Sequence, residues 1–121
     1  MKRLFYLLLF IPILGFSQYT AIPDQNFEQA LIDLGYDNVI DGQVLQSNID
    51  TITVLYVNFR SISNLTGVSA FTALTFLHCG SNSLINLDVS QNTALTELRC
   101  YENQMSSLDV SQNTNLTNLY C

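Results

Sequence analysis

One set of apolar positions recurs every 21 residues, and a chain written that way folds by stacking like units rather than by closing around a single core. Leu74, Leu77, Cys79, Asn82, Leu84 and Leu87 return as Leu95, Leu98, Cys100, Asn103, Met105 and Leu108. The series opens again at Leu116, Leu119 and Cys121. A diverged copy lies 22 residues upstream of the first, at Ile52, Leu55, Val57, Ile62 and Leu65, with Arg60 where the asparagine belongs. One irregular unit, two regular ones and half of another are therefore expected. The chain stops at Cys121 in the middle of a strand, with no polar cap to follow, so a piece of a longer array is expected.

Within Leu77-His78-Cys79 the side chains alternate, so Leu77 and Cys79 face one way and His78 the other. So short a strand cannot bury itself. It becomes stable when the next coil lays Leu98-Arg99-Cys100 alongside, about 4.8 Å away, in a parallel ladder. Asn82 and Asn103 fall where each strand must turn. Their amides are expected to satisfy backbone groups of their own coil and the next, since an unpaired buried amide would cost roughly 1–3 kcal/mol. Arg60 cannot do this, so the first turn must be closed differently.

The pattern L-x-x-L-x-C-x-x-N-x-L followed by L-D-V-S-Q-N-T resembles secreted bacterial leucine-rich repeat proteins of the 21-residue, cysteine-bearing class (the IRREKO type). The stretch Ile22-Pro23-Asp24-Gln25-Asn26-Phe27-Glu28-Gln29-Ala30-Leu31 looks like the helical cap that opens many of them. The resemblance runs from about Ile22 to Cys121. It implies a right-handed leucine-rich repeat solenoid with a short parallel β-strand ladder and an irregular convex side, often exported or surface-attached and usually built to bind other molecules. It implies no catalytic residues and no cofactor.

Residues 1–17 read as a cleaved signal peptide: Lys2 and Arg3, an apolar run from Leu4 to Leu14, then Gly15-Phe16-Ser17. The run is well short of the roughly 20 residues that span a bilayer, so no transmembrane segment is expected in the mature chain. Residues 18–50 then form the cap and 51–121 the repeats. In the cap, Asp24 suits a helix N-cap, Phe27, Ala30, Leu31 and Leu34 share one helical face, and Gly35 supplies the stop. A helix of about ten residues is unstable alone and must dock, with Ile49, Ile52 and Leu55 as the platform. Asp37, Asp41 and Gly42 fit places one, five and six of a calcium loop. Val39 and Asn48 occupy the third and twelfth places, where ligands belong, which favours an Asp-Gly hairpin turn between Val39-Ile40 and Val44-Leu45. Asn64-Leu65-Thr66 and Asn115-Leu116-Thr117 match a glycosylation pattern through leucines that belong to the repeat core.

Without Lys2 and Arg3, only Arg60 and Arg99 face ten carboxylates. Phosphate backbones need clustered cations, so no nucleic-acid partner is expected, and acidic membrane surfaces are disfavoured for the same reason. Three cysteines at one repeat position are expected to form a ladder of buried thiols, because in-register neighbours do not converge for a disulfide. No metal site is expected from them, since no histidine shares their face.

The outward columns of the ladder are Val54, Phe76, Glu97 and Asn118, then Tyr56, His78, Arg99 and Tyr120, then Asn58, Gly80 and Tyr101. Inward identities repeat while these vary, and tyrosine and arginine suit recognition. Val54, Tyr56, Asn58, Phe76, His78, Glu97, Arg99, Tyr101 and Tyr120 are the candidate binding face. A protein partner is expected, with polysaccharide stacking or a spacer for a downstream domain as alternatives. His78 and Cys79 face opposite ways, so no thiol–imidazole pair can form, and no phosphate loop or nucleophile elbow is present.

Overall fold

The computed structural model describes residues 18–121, so the leader expected at 1–17 lies outside the described residues. Four three-residue strands form one parallel sheet in sequential order: β3 (Val54–Tyr56), β4 (Phe76–His78), β5 (Glu97–Arg99) and β6 (Asn118–Tyr120). Leu55, Leu77, Leu98 and Leu119 stand opposite one another, as do Tyr56, His78, Arg99 and Tyr120. The register is the one the 21- and 22-residue offsets require. This is a leucine-rich repeat fold.

Ahead of it stand β1 (Tyr19–Ala21), helix α1 (Gln25–Asp33) and β2 (Gln43–Leu45). The Oδ1 atom of Asp24 accepts from the N–H groups of Asn26 and Phe27, which starts the helix. Gly35, at φ +86°, ends it, its N–H reaching Ile32 O while that of Tyr36 reaches Leu31 O. Phe27, Ala30 and Leu31 are fully buried, and Phe27 stacks on Phe71 of the first coil at 6.2 Å between ring centres. Leu34, expected on the buried stripe, is exposed because the helix has already ended at Asp33. Ile49, Ile52 and Leu55 lie in the same apolar cluster.

Two polar links fasten the helix to the repeats. The Oδ2 atom of Asp24 accepts from the N–H groups of Ser63 and Asn64 and the Ser63 hydroxyl, and Asn26 donates its amide to Ser61 O. Burial raises the Asp24 carboxyl, but the N–H donors of Phe27, Ser63 and Asn64 outweigh it and hold the group below the usual carboxylate range. Gly67 lies at φ +108° against β1, where a Cβ would fall 2.6 Å from Ala21 O.

The expected hairpin is overturned. β2 pairs antiparallel with β1, Tyr19 opposite Leu45, while Val39 and Ile40 join no strand and are exposed. The cause is Glu28, a fully buried carboxylate on α1 that accepts the N–H groups of Asp41 and Gly42. Those donors are turned toward the helix instead of across a hairpin.

Each coil is sealed to its neighbour by side-chain ladders. Asn82 Oδ1 accepts from Arg60 N and Ile62 N, and its Nδ2 donates to Val57 O and Cys79 O. Asn103 repeats this with Leu84 N, Cys79 O and Cys100 O. The partner is therefore the preceding coil, not the next. The turn at Arg60 is closed from outside by Asn82, which frees the guanidinium to pair with Asp33 at 2.5 Å. A second asparagine ladder runs on the return side, where Asn92 Nδ2 donates to Val68 O and Phe71 O and Asn113 Nδ2 to Val89 O and Asn92 O. Thr75, Thr96 and Thr117 form a third, each hydroxyl donating to the carbonyl of the equivalent threonine one coil back.

Candidate functional site

The inward side is chemically quiet. Cys79 and Cys100 are free, buried thiols packed among leucines; burial pushes the Cys79 thiol far up and the Cys100 thiol up to about 11, so neither is a thiolate near neutrality. Cys121 is exposed, unlike Cys79 and Cys100 at the same repeat position. His78 stands on the opposite side of the sheet from Cys79.

The outward side gathers the candidate residues by strand alternation. Tyr56 packs against Phe76 at 5.1 Å and 46°, and edge-on against His78 at 6.0 Å; His78 meets Tyr101 at 5.5 Å. The Arg99 guanidinium lies 5.4 Å from the centre of the Phe76 ring and 5.2 Å from that of Tyr120, and its Nε donates to Glu97 at 2.6 Å. That bond to Glu97 raises the Arg99 pKa above its ordinary value. One connected strip thus runs from β3 to β6 through Tyr56, Phe76, His78, Arg99, Tyr101 and Tyr120.

The members are not equally open. Val54, Tyr56 and Tyr120 are exposed, Asn58, Phe76, Glu97, Arg99 and Tyr101 are half-buried, and His78 is buried at 8% exposure. An outward position does not guarantee a wet side chain: Tyr56 and Tyr101 close over the imidazole from both sides. Gly80 makes room for this, because a Cβ there would lie 3.2 Å from both His78 Nε2 and Tyr101 Cε2. Burial first, then the Arg99 charge, lowers the His78 pKa, with Glu97 opposing.

Phe59 was missed by strand alternation. It follows the first strand at φ +56°, in the left-handed bend that Ser81 and Glu102 occupy one and two coils later, and it is the most exposed large apolar side chain among the described residues. The signal available was its 22-residue offset from Ser81.

Asp37 and Asp41 come together with Glu28, which calcium-loop spacing could not have revealed. One carboxylate oxygen from each lies within 4.8 Å of the others, and Asp37 Oδ2 is sealed from solvent without a hydrogen-bond partner. The set could offer three oxygens to a cation, but Glu28 already accepts two backbone N–H groups. Asn48, at the twelfth place, donates its amide to Tyr36 O.

No family model matches the chain. Among curated proteins, Internalin J of Listeria monocytogenes serotype 4b (strain F2365) is 36% identical over 70 residues, which is 58% of this chain and 8% of that protein. Among solved structures, the functional domain of InlJ from Listeria monocytogenes, described as including a cysteine ladder, matches with a TM-score of 0.76 and 35% identity. The match covers 87% of this chain and 24% of that one. An internalin (inlF) from Listeria monocytogenes str. 4b F2365 matches with a TM-score of 0.71 over 82% of this chain and 30% of that one; at 21% identity it bears on the fold alone. The chain spans less than a third of the length of each of these relatives. Strand register, the inward leucine and cysteine positions, the asparagine turns and these likenesses agree on a leucine-rich repeat chain similar to the bacterial internalins.

Proposed function

We propose that this is a protein-interaction module of a secreted or cell-surface protein, and that it binds through the outward face of β3 to β6. The observation that carries the reading is the connected strip of aromatic rings and one stacked guanidinium, built from positions that differ from coil to coil while the core repeats. Rigid aromatic side chains and arginine give contact area at low entropic cost, which is why they dominate protein interfaces. The likeness to internalins supports an exposed setting. Among the described residues no helix is long and apolar enough to cross a membrane.

In the same reading, residues 1–17 are a cleaved leader, and β1, α1 and β2 within residues 18–50 form the cap that shields the first coil. The repeats of 51–121 carry the contact, and no step of the work is catalytic. A glycan partner is the second candidate for the face. Rings tilted 46–68° to one another make a poor floor for stacked sugars, which favours protein.

The test places a photo-crosslinkable residue at Val54, identifies the covalently captured protein, and measures its affinity with purified components. Tyr56→Ala and Tyr120→Ala should each weaken binding about tenfold or more, as interface anchors do, with the thermal midpoint nearly unchanged. Unaltered affinity in both variants would refute the assignment of the face. Hits on a glycan array without any protein partner would move it to the second candidate.

A further inference from the structure

The link between His78 and Tyr101 has chemical consequences beyond packing, and this inference rests on the strand-face reading above. Tyr101 Oη lies 3.0 Å from His78 Nε2, and Gly80 is what lets the two rings meet. The groups facing the imidazole are Tyr56 from β3, Arg99 and Glu97 from β5, and Tyr101 from the turn that follows. Of these, Glu97 is already bound to Arg99, and the guanidinium is occupied between Phe76 and Tyr120. His78 Nε2 and Tyr101 Oη are within hydrogen-bond distance, and the imidazole tautomer decides which of them donates.

We propose that neutral His78 carries its proton on Nδ1 and accepts the Tyr101 hydroxyl at Nε2, and that it is thereby a positioning residue under proton control, which fixes Tyr101 as an outward hydrogen-bond acceptor and so selects a cationic side chain on the partner protein. Once its proton is committed to His78, the Tyr101 oxygen has only lone pairs to offer. The adjoining residue, Glu102, adds a carboxylate, itself held by the Ser81 hydroxyl at 2.5 Å. The only arginines among the described residues are both paired within the chain, to Asp33 and Glu97, while most of the ten carboxylates lack a cationic partner. On the face itself Glu97 neutralises Arg99, and Glu102 is left as a carboxylate without a cationic partner.

Protonation reverses the local chemistry. Imidazolium Nε2–H must donate to the Tyr101 oxygen, the hydroxyl hydrogen turns outward, and the patch gains a positive charge. An acceptor becomes a donor, and a cationic visitor is repelled. The sign follows directly: selection for the cation holds where His78 is neutral and fades as pH falls through its pKa, which burial and Arg99 set below the ordinary 6.5. Binding linked to one proton can change by up to about tenfold per pH unit there.

The test uses two defined peptides, acetyl-Gly-Lys-Gly-Lys-Gly-amide and its glutamate counterpart, titrated into the intact chain while the Tyr101 and His78 ring resonances are followed by NMR. The lysine peptide should shift Tyr101 at about pH 7.5 and bind progressively more weakly as pH falls below the ordinary imidazole value of about 6.5, and the glutamate peptide should not shift it. His78→Gln supplies an acceptor at both pH values, so it should keep the preference for lysine and lose the pH dependence. Tyr101→Phe keeps the ring and should lose the preference. Equal response to both peptides, or a pH dependence that survives His78→Gln, overturns the proposal. In that event a Tyr56→Ala defect toward the crosslinked protein would leave the binding face standing, whereas its absence would remove both.

Discussion

Replacing Asn82 by alanine isolates the element that closes the coils. The side chain is 6% exposed and answers two N–H groups, Arg60 N and Ile62 N at 3.0 Å each, while serving Val57 O and Cys79 O at 2.9 Å. Alanine leaves the buried Ile62 N–H without a partner, at about 1–3 kcal/mol. Arg60 N is partly exposed and can turn to water, so its loss is nearer about 1 kcal/mol, and the two carbonyls add a similar amount. The sum is about 3–5 kcal/mol, a large part of what a small domain has to lose. Asn103 is half-buried and answers only one N–H group, that of Leu84, so Asn103→Ala should cost about 1–2 kcal/mol. Urea unfolding followed by circular dichroism measures both, with the m-value as a check that the unfolded state has not changed. Equal costs in the two variants, or a loss below about 1 kcal/mol at Asn82, would refute the reasoning that turn closure is set by the number of amides each asparagine answers.

Gly67→Ala should cost about 1–3 kcal/mol, because φ of +108° is unfavourable for any Cβ and this one would press on Ala21 O; the same urea titration reads it. Acid should weaken the join between α1 and the first coil. The Asp24 carboxyl is depressed in the folded state, so its contribution is present above the unfolded value of about 3.9 and disappears as pH falls through the folded one. Asp24→Asn should give a flatter stability profile below about pH 4, and an unchanged slope would count against the link. A thiol reagent should reach Cys79 and Cys100 only in denaturant, with the same count with or without reductant.

The ladder was legible because its signal is redundant: Leu77 and Cys79, Leu98 and Cys100 repeat the same alternation at the same offset, and register follows from the offset alone. The pairing of β1 with β2 was not, since three residues at Tyr19–Ala21 carry no periodicity, and the decisive Glu28 sits on a helix whose other faces are ordinary. Asn92 and Asn113 were visible as repeats, but a polar side chain in V-S-Q-N gives no sign of pointing inward until the coil is closed. The buried state of His78 depends on the absence of a Cβ two residues later and on a ring 23 residues away. Alternation identifies a side; it does not measure how tall the neighbours are.

The asparagine bridges have a direction. Asn82 completes the turn of the coil before it, and Asn103 does the same for the coil that holds Asn82. No turn is therefore finished by its own residues, and each waits for a successor to dock. Lengthening or shortening such an array by anything other than a whole period would strand amides on one side of the splice and duplicate acceptors on the other. Duplication in complete units is then the route of change that keeps every backbone group answered, and substitution on the outward columns is left as the means by which one array comes to differ from another.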